Sequence, residues 1–163
     1  MRKTQMPHQI FLKTPLGTAS ISGDEAGITA IQILDEEIPT STEIPPFFQL
    51  AVQELNDYFK GDLKEFSLKL NPKGTAFQQK VWKALNEIPF GKTCSYLELS
   101  RKLGNEKAIR AVASANGKNP LWIVIPCHRV IGSDGSLTGY AGGLSRKQWL
   151  LNHENNSSQL SMF

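Results

Sequence analysis

The stretch Leu121-Trp122-Ile123-Val124-Ile125-Pro126-Cys127-His128-Arg129-Val130 constrains this chain more than any other, because an apolar run stops at a proline and a thiol, an imidazole and a guanidinium follow at once. Ile123 to Ile125 are β-branched and read as a short buried strand. Pro126 fixes φ and removes a backbone donor where pairing would end. A rigid element would thereby direct Cys127 towards a partner. The plainer alternative is an inert buried cysteine beside a surface histidine, and a Cys-His pair alone does not decide between them.

The 163 residues are enough for one domain or two small ones, and the balance of 40% hydrophobic to 20% charged residues is that of a globular protein. No stretch approaches the roughly 20 apolar residues needed to span a bilayer, and Met1 to Gln5 lack the apolar middle of a secretory leader. The expectation is a cytoplasmic protein with no membrane partner, in which Cys94 and Cys127 are free thiols. The net charge of +3 conceals an asymmetry. Residues 1–72 hold six basic and ten acidic residues, net −4, and residues 73–163 hold twelve and five, net +7. The second part suits a polyanion, although such a charge also serves solubility.

The chain reads as residues 1–72, an α/β structural domain, then residues 73–154, a mainly helical domain, then a polar tail, 155–163. His8 to Thr14, Gly17 to Ser22 and Ile28 to Leu34 alternate like strands of an antiparallel meander. Pro46 opens a helix with Phe47, Ala51, Leu55 and Tyr58 on one face and Gly61 as its stop. Phe66, Leu68 and Leu70 suggest one more strand. After the linker Asn71 to Gly74, Thr75 and Gln78 form a capping box for a helix lined by Phe77, Val81, Leu85 and Ile88. Ser95 and Glu98 form a second box, with Tyr96, Leu99 and Leu103 on the inner face of its helix. A third helix spans Glu106 to Gly117 with Ala108, Ala111, Val112 and Ala115 inward. The last two helices, joined by Gly104-Asn105, have the length and turn of a helix-turn-helix. Around Arg110, the small residues Ala113, Ser114 and Gly117 would let a backbone approach closely; either the helix is packed on both sides, or it presses into a DNA groove. A turn at Gly132 to Gly135 follows, and a last helix, Ser145 to His153, would turn Leu144, Trp149 and Leu150 to a core.

A thiol with an ordinary pKa of about 8.5 reacts only when its thiolate is favoured. His128 is adjacent to Cys127, yet neighbours on an extended chain point opposite ways, so it would act through a water or a turn. Glu154 could orient that imidazole as the third member of a nucleophile-base-acid set. A zinc site is poorly supported, since two cysteines 33 positions apart and scattered histidines match no ligand pattern.

The run Asn119 to Val130, with Gly139-Tyr140-Ala141-Gly142-Gly143 and Leu150-Leu151-Asn152-His153-Glu154, resembles the signature of the O6-alkylguanine-DNA alkyltransferases. The resemblance extends upstream through Pro89 to Tyr96 and Arg110 to Asn116, and so covers nearly all of residues 75–154. It implies a ribonuclease-H-like N-terminal domain and a winged-helix-like C-terminal domain carrying the helix-turn-helix. The implied activity is direct, irreversible transfer of an alkyl group from guanine O6 in DNA to Cys127, with O4-methylthymine as a further substrate. By the same carry-over His128 deprotonates Cys127 through a water, Glu154 holds His128, Asn119 supports the active-site backbone and Tyr96 assists the departing purine. Arg110 would fill the space left by a flipped base, and Ser114, Asn105 and Ser133 would join Tyr96 and Arg110 in contacting DNA. The implied partner is double-stranded DNA containing O6-alkylguanine, bound by a monomer. No cofactor is implied, and the N-terminal part lacks the cysteines with which some relatives bind zinc, so no metal is expected. The competing reading is a module that binds alkylguanine DNA and recruits other factors without reacting; such relatives carry another residue at the position of Cys127.

Overall fold

The computed structural model describes residues 8–137 and 139–160, and divides into two compact units after Pro72. In the first, β1 (Gln9–Thr14), β2 (Gly17–Asp24) and β3 (Gly27–Leu34) form an antiparallel sheet in the order β1-β2-β3. Ile10 pairs with Ile21, and Ile21 with Ile31, so period-two alternation gathers the three isoleucines on one buried face. Helix α1 (Pro46–Lys60) begins at a proline and ends at Gly61, whose φ of 86° few side chains tolerate. It packs on β1 and β2 through Phe48, Ala51, Leu55 and Tyr58. Phe48 takes the inner place expected of Phe47.

The strand expected at Phe66 to Leu70 does not form, apart from one parallel bridge from Leu70 to Ile28. The reason lies on α1. The Glu54 carboxylate faces inward and accepts from the Ser67 backbone N–H at 2.9 Å and the Ser67 hydroxyl at 2.7 Å, so a side chain takes a donor that a ladder would need.

In the second unit, α2 (Ala76–Leu85) and α3 (Tyr96–Lys102) both start at complete capping boxes, Thr75 with Gln78 and Ser95 with Glu98. Gly104, at φ 87°, reverses the chain after α3. Asn105 then caps a 3-10 turn, Glu106–Ala108, that leads into α4 (Ile109–Gly117). The Trp82 indole donates to the Ala115 carbonyl at 2.8 Å and fastens α2 to α4. Val81, Leu85, Leu99, Val112, Leu121, Val130 and Leu150 form the fully buried centre, each worth about 1.5–3 kcal/mol of burial. Phe77 and Leu144, expected inside, are exposed, and Ala111 also lies outward. On α4 the buried stripe is Val112, Ala115 and Asn116, while Arg110, Ser114 and Gly117 are open to solvent rather than packed on a second side.

The apolar run Leu121 to Ile125 is not a strand. It is a tight turn in which the Val124 N–H donates to the Trp122 carbonyl and the Ile125 N–H to the Leu121 carbonyl, with Ile123 at φ +76°. Extended pairing begins only after Cys127. There β5 (Val130–Ile131) lies parallel to β4 (Cys94–Ser95). The polar tail expected from Asn155 onward continues as helix instead, because α5 runs from Leu144 to Leu160. The remainder of that stretch, 161–163, and Thr138 lie outside the described residues.

Candidate active site

The Asn119 side chain builds the turn before the cysteine. Its Oδ1 accepts from the Leu121 N–H at 2.9 Å, and its Nδ2 donates to the carbonyls of Leu121 at 3.3 Å and Ile125 at 2.8 Å. These three bonds hold Ile123 in a left-handed conformation that a β-branched residue ordinarily avoids. The chain leaves the turn through Pro126 into a 3-10 segment, Cys127–Arg129, so successive side chains there do not alternate as on a strand. Cys127 and His128 are both buried.

His128 Nε2 lies 2.7 Å from Glu154 Oε2, which brings Glu154 of α5 onto the imidazole. A carboxylate can only accept, so Nε2 carries the proton and Nδ1 keeps a lone pair. Among the described residues no protein group pairs with that Nδ1. The same carboxylate also receives Arg129, Nε to Oε1 at 2.7 Å and Nη2 to Oε2 at 3.0 Å, while Arg129 Nη1 donates to the Ile88 carbonyl at 2.7 Å. Burial disfavours charge on Glu154, but the facing His128 and the two-pronged Arg129 outweigh it and hold the carboxyl well below the usual range. For His128, burial is the largest influence and outweighs the attraction of Glu154, so the ring is pulled below its ordinary 6.5 and is neutral at pH 7.

Burial pushes the Cys127 thiol up to about 11, although a hydrogen bond from Asn119 and the charge of Lys147 work the other way. The resting group is therefore a thiol beside a neutral base. Lys147 itself is fully buried on α5 and donates to the Val130 carbonyl at 2.6 Å and to that of Gly139 at 3.4 Å. Burial lowers it to about 8, against the opposing pull of Cys127.

Beside these groups lies a pocket of about 590 Å³ lined by Tyr96, Arg110, Asn116, Tyr140 and Ala141, among others. Two of its walls connect it to Cys127. The Asn116 Nδ2 donates to the Cys127 carbonyl at 3.5 Å, and Tyr140 is near enough that a charge on Cys127 raises its pKa, after the larger effect of burial. Tyr140 in turn packs against Trp122, with ring centroids 5.8 Å apart. Tyr96 and Arg110 thus share one pocket, and Ser114 lies on the open face of α4. Asn105 caps the turn before α4 through its bond from the Lys107 N–H, and Ser133 lies in the exposed turn closed by Gly135 N–H to Gly132 carbonyl; neither lines the pocket.

The sequence motifs assign no role to Arg129, Lys147, Asn116 or Tyr140. Lys147 leaves a signal that could have been read, since it shares a helical face with Leu150 and Glu154, where a lysine is out of place unless paired. No comparable signal marks Asn116 in sequence.

Both parts of the chain match one family. The 6-O-methylguanine DNA methyltransferase ribonuclease-like domain covers residues 8–72, and the 6-O-methylguanine DNA methyltransferase DNA binding domain covers residues 76–156. This chain belongs to the 6-O-methylguanine DNA methyltransferase family. It is 47% identical over 154 residues to the methylated-DNA–protein-cysteine methyltransferase of Methanosarcina acetivorans, covering 91% of this chain and 98% of the relative. Among solved structures, the O6-methylguanine methyltransferase of Mycobacterium tuberculosis is similar at 44% identity and a TM-score of 0.82, covering 92% of this chain and 93% of that one. A Mycobacterium tuberculosis structure in complex with DNA is similar at 44% identity and a TM-score of 0.84, covering 93% and 94%. The methyltransferase family thus spans both units, and the expectation of an antiparallel ribonuclease-like part followed by a helical DNA-binding part is met.

Proposed function

We infer that the protein repairs DNA by moving the alkyl group of O6-alkylguanine onto its own Cys127, in a single turnover that consumes it. The observation that carries this reading is a buried Cys127 followed by a buried His128 that Glu154 engages at 2.7 Å, beside an open pocket, in a chain of this family. The thiol proton passes through a bridging water to His128 Nδ1, and the imidazolium so formed faces ionised Glu154. The thiolate attacks the alkyl carbon; a sulfur–carbon bond forms as the carbon–O6 bond breaks, and the bonding pair stays on the guanine. Tyr96 donates a hydrogen bond or proton to the purine as charge develops there, and recovers a proton from the relay through water, so the thiol proton ends on restored guanine. The thioether has no hydrolytic route back. The alkyl donor is the lesion itself, so the balance closes without another reactant.

In a duplex, O6 lies within the stack, and the nucleotide must be flipped out at a cost of a few kcal/mol. Arg110, exposed at the rim of the pocket, fills the vacated space, while the small side chains of Ala113, Ser114 and Gly117 let α4 approach the minor groove closely. Asn105 and Ser133, both on exposed turns, contact the backbone together with Ser114, and binding is insensitive to sequence because phosphate contacts position without reading bases. The protein acts as a monomer in the cytoplasm, where Cys94 and Cys127 remain thiols. Guanine lesions are the main substrates and O4-methylthymine a lesser one.

Intact-protein mass spectrometry after incubation with an O6-methylguanine duplex tests this. One added methyl on Cys127 with no further turnover is expected. An unchanged mass with DNA bound would overturn transfer and leave only recognition.

A further inference from the structure

Arg129 is 6% exposed and is held at three points: Nε on Glu154 Oε1, Nη2 on Glu154 Oε2 and Nη1 on the Ile88 carbonyl, with its guanidinium 5.7 Å from the centre of the Phe90 ring. It does not line the substrate pocket. Yet it shares Glu154 Oε2 with His128, whose Nε2 lies 2.7 Å from that oxygen. A cation bound that tightly to the partner of a base alters the base itself.

Charge decides the effect. Without a neighbouring cation, a carboxylate buried against an imidazole leaves the pair with one uncompensated negative charge. In a low-dielectric interior such a pair takes up a proton, and the imidazolium so formed has no lone pair at Nδ1. A guanidinium cancels the same charge without occupying Nδ1, and it is never deprotonated in the working range. Burial lowers His128 most, Glu154 raises it, and Arg129 and Lys147 work on the side of burial. Lys147, which faces the site from α5 beside Glu154, is a poor substitute: its Nζ is directed to the carbonyls of Val130 and Gly139, and burial lowers it to about 8. Cys127 and Tyr140 are neutral at pH 7 because burial raises both. Helix α2, which also packs on the segment of His128, buries only Val81, Trp82, Ala84 and Leu85, none of them charged. We propose that Arg129 is a positioning residue for the reaction: its guanidinium supplies the positive charge that an extra proton would otherwise supply, and so keeps the His128–Glu154 pair one proton short, with Nδ1 open to receive the thiol proton. The proposal rests on the alkyl-transfer reading above and gives the base of that reaction its resting state.

The test separates charge from packing. The titration midpoint of His128 is followed in two ways, by NMR of protein labelled at its histidine ring nitrogens and by the acid limb of Cys127 methylation from an O6-methylguanine duplex, for the wild type, Arg129→Gln and Arg129→Lys. Arg129→Gln keeps hydrogen-bonding capacity but no charge, and should raise the midpoint by about one pH unit or more. Arg129→Lys keeps the charge and loses the two-pronged geometry; its midpoint should stay within about half a pH unit of the wild type while its rate falls. An Arg129→Gln variant that is slower at every pH with an unmoved midpoint would overturn the proposal and leave Arg129 a purely structural anchor, and so would an equal rise in both variants. If Arg129→Gln does not fold, Glu154→Gln is compared with the double variant Glu154→Gln and Arg129→Gln, in which no buried carboxylate stands alone. The double variant should titrate about one pH unit above the single one, and equal midpoints would overturn the proposal. Failure of the wild type to take methyl from O6-methylguanine would instead sink the alkyl-transfer reading, while the ring titration would still report on Arg129, so the two failures are distinguishable.

Discussion

Lys147 Nζ lies 2.6 Å from the Val130 carbonyl oxygen, so a fully buried ammonium on α5 fastens that helix to the strand that follows the reactive cysteine. Lys147→Met would fill the same volume but withdraw the donor from the carbonyls of Val130 and Gly139, at about 1–3 kcal/mol for each group left unsatisfied. The pH dependence has a distinctive form. Lys147 falls from 10.5 to about 8 on folding, so the unfolded chain binds more protons between those values and stability rises with pH through that window. Cys127 moves the opposite way, from 9.0 to about 11, and contributes about 3 kcal/mol that is fully present below pH 9 and lost as pH climbs to 11. Between pH 9 and 10.5 the two slopes offset each other in the wild type. Urea unfolding should show a steeper decline there for Lys147→Met and a rise for Cys127→Ala; parallel curves for all three would refute the account.

Glu154→Gln should be costly for both fold and reaction. It leaves the buried Arg129 guanidinium without its carboxylate, a change worth about 3–5 kcal/mol, and turns one of the two oxygens shared by Arg129 and His128 into an NH2 donor, so the remaining oxygen cannot serve both as before. Alkylation by O6-benzylguanine should slow by about two orders of magnitude or more. A variant with normal stability but slow alkylation would mean that Arg129 finds another partner.

The acid side of the rate profile reports on His128. Because burial pulls this imidazole below 6.5, the neutral base persists as pH falls past that value, and alkylation should decline only at lower pH. The linked stability has the same sign: it is fully present above 6.5 and is lost as pH falls through the lowered folded value. A stopped-time alkylation series from pH 4.5 to 8, with His128→Gln as a slow and flat control, checks both. A midpoint at or above 6.5 would contradict the burial argument.

Arg110 offers a separation of substrates. Arg110→Ala should weaken repair of a duplex by about tenfold or more, while reaction with free O6-benzylguanine, which requires no flipping, should change little. Equal losses on the two substrates would remove the wedge role.

Local chemistry made much of the fold legible in sequence. The capping boxes at Thr75 and Ser95, the stop at Gly61 and the alternation of β1 to β3 act over a few residues and survive folding unchanged. The misreadings occur where a distant side chain overrides a local preference. Ser67 gives its N–H to Glu54, and Ile123 is bent into the left-handed region by the amide of Asn119, which neither periodicity nor β propensity can register. At the site, the pairing of His128 with Glu154 was legible, and the structure brings the two together across 26 positions. Asn116 was not, because only packing tells whether a lone asparagine is inside, whereas the face that Lys147 shares with Leu150 and Glu154 marks it as out of place in sequence.

The double engagement of Glu154 also bears on how such a protein can change over generations. One carboxylate closes the Arg129 ion pair and orients His128, so substitutions there are removed for instability before any loss of reactivity can be tolerated. Cys127 bears no such dual duty. A descendant that gave up chemistry and kept recognition would therefore be expected to lose its sulfur while retaining the histidine, arginine and glutamate around it, as a record of the reaction it no longer performs.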